Sequence, residues 1–115
     1  MSDKTDQKPK TLPGGITERQ LEGWKKKHGD VYKVEVETEN NGTLCCYLKA
    51  PSRDQYGVIA QVAQKKTGLA GGFYILNDCW LGGDDLIKKV DKIYVSAAIS
   101  AMELFDFLPS SISKL

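Results

Sequence analysis

The stretch VYKVEVETENNGTLCCYLK, residues 31–49, decides the fold. Its first part, Val31 to Thr38, alternates apolar and charged residues, which is the pattern of a β-strand with one buried face. Its last part, Thr43 to Lys49, is rich in residues that favour strands. Asn and Gly in the ENNG segment between them tolerate the positive φ of a hairpin turn. The sequence therefore predicts an antiparallel β-hairpin that buries Val34 and Val36, and this apolar face needs other elements to cover it.

Helical patterns flank the hairpin on both sides. Thr17 and Gln20 form a capping-box pair after Ile16, and Gly29 is a natural end for the helix that follows. Three further segments with helical spacing run from Ser52 to Lys66, from Leu69 to Trp80 and from Asp91 to Phe107. The inward-facing stripe of the last helix is predicted to be Val95, Ala98, Ile99, Met102 and Phe105.

These elements predict an α+β fold with an antiparallel β-hairpin packed against three or four α-helices. The single domain is expected to span residues 16–108. Residues 1–15 are polar and end in Pro-Gly-Gly, so we expect a flexible, disordered N-terminal arm there and a short C-terminal tail over 109–115.

Size and charge narrow the classes of function. The chain has 115 residues and a formal net charge of +1, which fits one small core and disfavours a strongly basic nucleic-acid binder. Three cysteines, Cys45, Cys46 and Cys79, have no zinc or redox spacing and indicate a reduced intracellular setting. The sequence has neither a signal-peptide pattern nor a membrane-length apolar run, so we expect no membrane association.

No residue pattern in the sequence indicates a catalytic site. His28 is the single histidine and lies in the charged last turn of a predicted helix. A surface histidine is expected there, not a general base that activates a serine or cysteine nucleophile. Asp84 and Asp85 are explained by helix capping, and the glycine pairs match no phosphate-binding motif. We therefore predict no catalytic residue, no cofactor and no metal site, and the protein is not expected to be an enzyme.

A binding role is the alternative that remains. Leu21 and Trp24 form a narrow apolar stripe on the first helix, and Phe73 and Trp80 are further aromatic anchors, since aromatic residues are enriched at interface hot spots. These four residues are the predicted partner-binding set. The competing interpretation, that Trp24 simply closes the domain's own core, is equally compatible with the sequence.

Four segments resemble one family. They are ITERQLEGWKKKHGDVYKVEV (16–36), YLKAPSRDQY (47–56), ILNDCWLGGDD (75–85) and KIYVSAAISAMELF (92–105). Together they resemble the small tail assembly chaperones of long-tailed bacteriophages and prophages, and the pattern Pro51-x-Arg53, a helix, then Asn77-x-Cys79-Trp80 is the most distinctive part.

The resemblance implies a non-enzymatic assembly factor in the cytoplasm of a bacterial host. Such chaperones bind the tape-measure protein, keep it soluble and help to recruit tail-tube subunits; self-association is compatible with this role. Two alternatives stay open: a structural virion subunit of the tail or head completion, and a nucleic-acid or host-factor binder that uses Lys25–Lys27. The lysine run is also explained by the helix dipole, which favours cations at a helix C-terminus.

Overall fold

The computed structural model describes residues 11–105 and 110–115. In chain order the elements are β1 (Thr11–Leu12), a 3-10 turn (Pro13–Gly15), β2 (Ile16–Thr17), α1 (Glu18–His28), β3 (Val31–Glu37), β4 (Thr43–Lys49), α2 (Arg53–Lys65), α3 (Gly68–Asp78), β5 (Trp80–Gly83), α4 (Leu86–Lys89), α5 (Asp91–Ala101) and a 3-10 helix (Met102–Phe105). Helices and two small antiparallel sheets in one domain confirm the predicted α+β class.

The β3–β4 hairpin is present as predicted. Its register places Val34 opposite Cys46, and the backbone N–H of Thr38 donates to the carbonyl of Gly42 to close the turn. The alternation also holds, because Val34 and Val36 are buried. The hairpin face thus forms one side of the main core.

A third strand that the sequence analysis did not predict completes the sheet, in the order β3-β4-β5. The predicted helix through Trp80 is wrong in its last turn, because α3 ends at Asp78 and Trp80 begins β5. Gly83 is the residue that allows a strand to form here. It has a φ of +147°, and it lies so close to β4 that a Cβ would be 2.5 Å from the Cα of Cys46. A glycine there allows a short strand to pair with β4.

Strand β4 is the centre of the domain, and both of its faces are covered. The larger core joins one face of the sheet to α2, α3, α4 and α5; its buried members are Val34, Val36, Leu44, Cys46, Leu48, Ile59, Ile75, Leu76, Cys79, Ile87, Ile93, Ala97, Ala98 and Ala101. On the opposite face a smaller cluster contains Ile16, Cys45 and Tyr47, with Leu12, Leu21, Trp24, Val31 and Leu81 packed against it.

The folded chain begins before the predicted boundary at Ile16. Thr11 pairs with Thr17 and Leu12 pairs with Ile16, so residues 11–15 belong to the domain and not to an arm. The rest of the predicted arm, residues 1–10, lies outside the described residues. Residues 110–115 are exposed and form neither helix nor strand.

The last helix buries a different stripe from the predicted one. Ala98 is buried as expected, but Ile99 is 57% exposed, and the buried positions are Ile93, Ala97, Ala98 and Ala101. Small residues on this face let α5 approach α3 closely. The regular helix ends at Ala101, and Phe107 of the predicted helix lies outside the described residues.

Candidate partner-binding groove

A groove of about 280 Å³ lies between α1, the start of β3 and the N-terminal turn. Its lining is mainly apolar, with two lysines at the edges: Leu12, Pro13, Leu21, Val31, Tyr47, Lys25 and Lys33. The volume lies just below the range typical of small-molecule pockets. An apolar groove of this size suits the side chains of a macromolecular segment better than a complete small ligand.

One wall of the groove is the turn that precedes β2. Gly14 and Gly15 both have positive φ, which turns the chain back on itself. A Cβ at Gly14 would lie 3.0 Å from the carbonyl oxygen and from the Sγ of Cys45, so the turn sits directly on β4. The Tyr47 hydroxyl donates to the Pro13 carbonyl at 2.7 Å and fixes the position of the wall.

The opposite wall is α1. The predicted capping box is present, because the Thr17 hydroxyl accepts from the Gln20 N–H while the Gln20 side chain accepts from the Thr17 N–H. Leu21 and Lys25 lie one helical turn apart and both line the groove. The capping box therefore fixes where α1 begins. The orientation of α1 depends on the residues against which the helix packs.

Trp24 provides that packing. Its ring lies 5.9 Å from the ring of Tyr47 at an interplanar angle of 41°, within the range of favourable aromatic pairs. It also lies over Gly82, where a Cβ would come within 2.9 Å of the indole ring. Trp24 thus covers the smaller cluster, while Leu21 beside it faces the groove.

The four residues of the predicted partner-binding set fall into two places. Leu21 and Trp24 lie together at the smaller cluster, whereas Phe73 and Trp80 pack at the edge of the larger core. Phe73 stacks on Tyr94 at a centroid distance of 5.5 Å, and Lys88 Nζ lies 4.3 Å from the centroid of the Trp80 ring. All four side chains are half-buried, and their contact with a partner stays a prediction.

The remaining walls of the groove were not predicted from the sequence. The pattern assigns Tyr47 to the second strand of the hairpin without indicating what packs on it, and it assigns the N-terminal turn to a flexible arm. A usable signal was present: LCCYL, residues 44–48, is a continuous apolar run, and such runs are typical of strands buried on both faces. The run indicates that a second layer must cover Tyr47. It does not indicate which segment of the chain forms that layer.

A second cavity of about 390 Å³ lies between the hairpin turn and the start of α5. Val36, Val90 and Ile93 form its apolar part, and the turn residues 37–41 form its polar rim. Glu39 and Lys92 approach each other to 3.9 Å across the same region, both highly exposed. Exposed ion pairs are weak, so this contact can open at little cost.

The three cysteines are buried free thiols. Burial raises the pKa of all three, and it raises the pKa of Cys46 from its ordinary value of 9.0 to about 12. The thiolate is the nucleophile and the metal ligand, so this shift opposes both kinds of chemistry at neutral pH. The structure therefore gives the cysteines a packing role.

Burial of these thiols predicts a pH dependence of stability. Because Cys46 holds its proton more tightly in the folded than in the unfolded protein, its contribution to stability is complete below about pH 9 and is lost as the pH rises toward 12. The expected loss is up to about 1.4 kcal/mol per pH unit. Urea unfolding of wild type and Cys46→Ala at pH 7 to 11 measures it. Equal pH slopes for the two proteins would contradict the prediction.

Within residues 11–105 and 110–115, no three His, Cys, Asp or Glu side chains lie close enough together to hold a metal ion. In the same part of the chain, no helix combines the length and apolar character that crossing a membrane requires. Comparison of the chain with protein-family models, curated proteins and solved structures finds no match. The groove and the chemistry of its residues are therefore the basis for assigning a function.

Proposed function

We propose that this protein is a non-enzymatic phage or prophage assembly factor, similar to tail assembly chaperones, that binds an apolar or helical segment of the tape-measure protein. The observation that supports the proposal most directly is the groove between α1 and β3, with apolar walls and lysines at its edges. The choice of the tape-measure protein as the partner is supported by the sequence resemblance alone.

The lining of the groove defines the chemistry of the segment that it would bind. Leu12, Leu21 and Val31 offer contacts to apolar side chains, and Lys25 and Lys33 at the edges favour acidic residues beside them. An amphipathic helix with an apolar stripe and acidic flanks has this pattern, and helices of this kind commonly bind in such grooves.

Co-expression with the tape-measure protein tests the proposal. We expect the wild-type chain to increase the soluble fraction of that protein. Leu21→Glu should weaken the complex about tenfold or more, because it places a charge on the apolar wall. Val58→Glu is the matched control, since Val58 is an exposed apolar helical residue away from the groove and its replacement should leave the complex unchanged.

Three results would contradict the proposal. The tape-measure protein could be equally soluble with and without the chain. Purified particles could contain the chain in fixed stoichiometry by mass spectrometry, which would identify a structural virion subunit. Binding to DNA or RNA that falls steeply with salt would instead identify a nucleic-acid binder.

A further inference from the structure

Strand β3 is an edge strand, and its outer backbone groups are available for pairing. The N–H of Cys45 donates to the Asp84 carboxylate and its carbonyl accepts from the Asp84 N–H, so the backbone of Cys45 faces β5. Antiparallel alternation then directs the backbone of Cys46 toward Val34. Lys33 and Glu35 consequently point their N–H and C=O groups to the free side.

The free edge carries a row of hydrogen-bonding groups that can pair with another strand. Among the described residues, none bonds to the outward-facing backbone of Lys33 or Glu35. Their side chains form an exposed ion pair with each other, Lys33 Nζ to Glu35 Oε2 at 3.3 Å. A pair of this kind is worth little and can be exchanged for other partners.

We propose that β3 binds β3 of a second copy, antiparallel and about a two-fold axis through Val34, to form a symmetric dimer with a continuous six-stranded sheet. In this register Lys33 of each copy lies opposite Glu35 of the other. Tyr32 lies opposite Val36 of the other copy, and the two Val34 side chains meet at the axis. Both charge pairs are attractive, and every apolar residue of the core-side face meets an apolar residue.

Neighbouring registers lack this complementarity. Moving the axis by one residue to Lys33 places two lysines opposite each other, and moving it to Glu35 places two glutamates opposite each other. Like charges directly opposite destabilise a strand pair. Of these three registers, only the one about Val34 is self-complementary.

The second cavity provides an independent reason for this register. Tyr32 is 39% exposed although it lies on the same face as the buried Val34 and Val36. In the dimer, Tyr32 and Val36 of the other copy form a non-hydrogen-bonded pair, the type in which side chains approach most closely. The Tyr32 ring would then reach the cavity beside Val36, whose 390 Å³ is lined by Val90 and Ile93.

Charge reversal at the two paired positions tests the dimer and its register. By sedimentation equilibrium, we expect the wild type to dimerise, and Lys33→Glu and Glu35→Lys each to weaken the dimer about 10- to 100-fold, because each change creates two like-charge pairs. The double variant carrying both changes restores both attractive pairs and should return to the wild-type dissociation constant within about threefold. Glu37→Lys is the control, because it changes the net charge as Glu35→Lys does. Residue 37 lies opposite Val31 of the other copy, so this variant should dimerise like the wild type.

A wild type that stays monomeric at high micromolar concentration would overturn the proposal. It would also be overturned by a double variant as weak as the single variants, or by equal weakening from Glu37→Lys. Circular dichroism of each variant confirms that the monomer is folded. Lys33 also lines the groove, so the charge-reversal variants test the dimer only and are not used to test binding to the tape-measure protein. Leu21→Glu lies outside β3 and tests that binding, while the oligomeric state of the wild type alone tests the dimer, so each property can fail separately.

Discussion

Replacing Gly72 by valine is expected to unfold the domain or to lower its free energy of unfolding by about 4 kcal/mol or more. Gly72 lies buried in α3 against α5, and even a Cβ at this position would overlap the carbonyl oxygen of Ala98. The overlap is with backbone, which cannot rotate away as a side chain can. The two helices would have to separate, and the larger core would lose contacts along its whole length.

A matched pair of substitutions isolates this effect from helix propensity. Gly72→Ala should also destabilise, whereas Gly57→Ala should stabilise by about 0.5–1 kcal/mol, because alanine is the better helix former. Gly57 lies in α2, and a Cβ there would have no atom within 4 Å. Urea unfolding followed by circular dichroism measures all three variants. A Gly72→Val protein within about 1 kcal/mol of wild type would show that α3 and α5 do not pack this closely.

Local patterns were sufficient to predict part of the fold. The hairpin and the capping box at Thr17 depend on neighbouring residues, and the structure confirms them. Strand β5 was not predicted because it has only four residues and continues the helical spacing of α3. Its pairing with β4 is a long-range contact that Gly83 permits, and local patterns do not contain that information.

Gly72 likewise has a local effect that the sequence reveals and a long-range contact that it does not. The local effect of the adjacent glycines Gly71 and Gly72 is to weaken the first turn of the helix. The packing role of Gly72 against Ala98 depends on where α5 lies, and no pattern within α3 contains that information. The exposure of Ile99 follows from the same contact, because the closest approach between the helices selects the small residues of α5 for the interface.

Two residues at the groove and the adjoining smaller cluster were predicted from the sequence as partner-binding. Leu21 and Trp24 were identified from the spacing of α1, and both lie at the smaller cluster. The other wall comes from residues 11–15, whose polar composition and glycines predicted a flexible arm. Its order depends on the Tyr47 hydroxyl bond to Pro13, a contact across 34 positions of the chain. Contacts of that separation are not visible in local patterns.

The sequence left two interpretations of Trp24 open, and its contacts with Tyr47 and Gly82 favour a role in the domain's own packing. Trp24→Ala is expected to lower the free energy of unfolding of the isolated protein by about 3 kcal/mol, the lower end of the range for buried aromatic residues, because the side chain is only half-buried. It would leave Tyr47 and Gly82 without their cover. Trp24→Phe keeps an aromatic ring over Tyr47 and should cost clearly less.

Ile99→Ala is the control for an exposed apolar residue and should change stability by no more than about 0.5 kcal/mol. Urea unfolding measures the three variants, and binding to the co-expressed tape-measure protein provides the second readout. If Trp24→Ala lowers the free energy of unfolding by less than about 1 kcal/mol but weakens the complex as strongly as Leu21→Glu, Trp24 belongs to the partner surface. If Trp24→Ala strongly lowers the free energy of unfolding but still binds at a temperature where the variant is folded, Trp24 belongs to the smaller cluster. Leu21 is then the apolar residue of α1 that lines the groove.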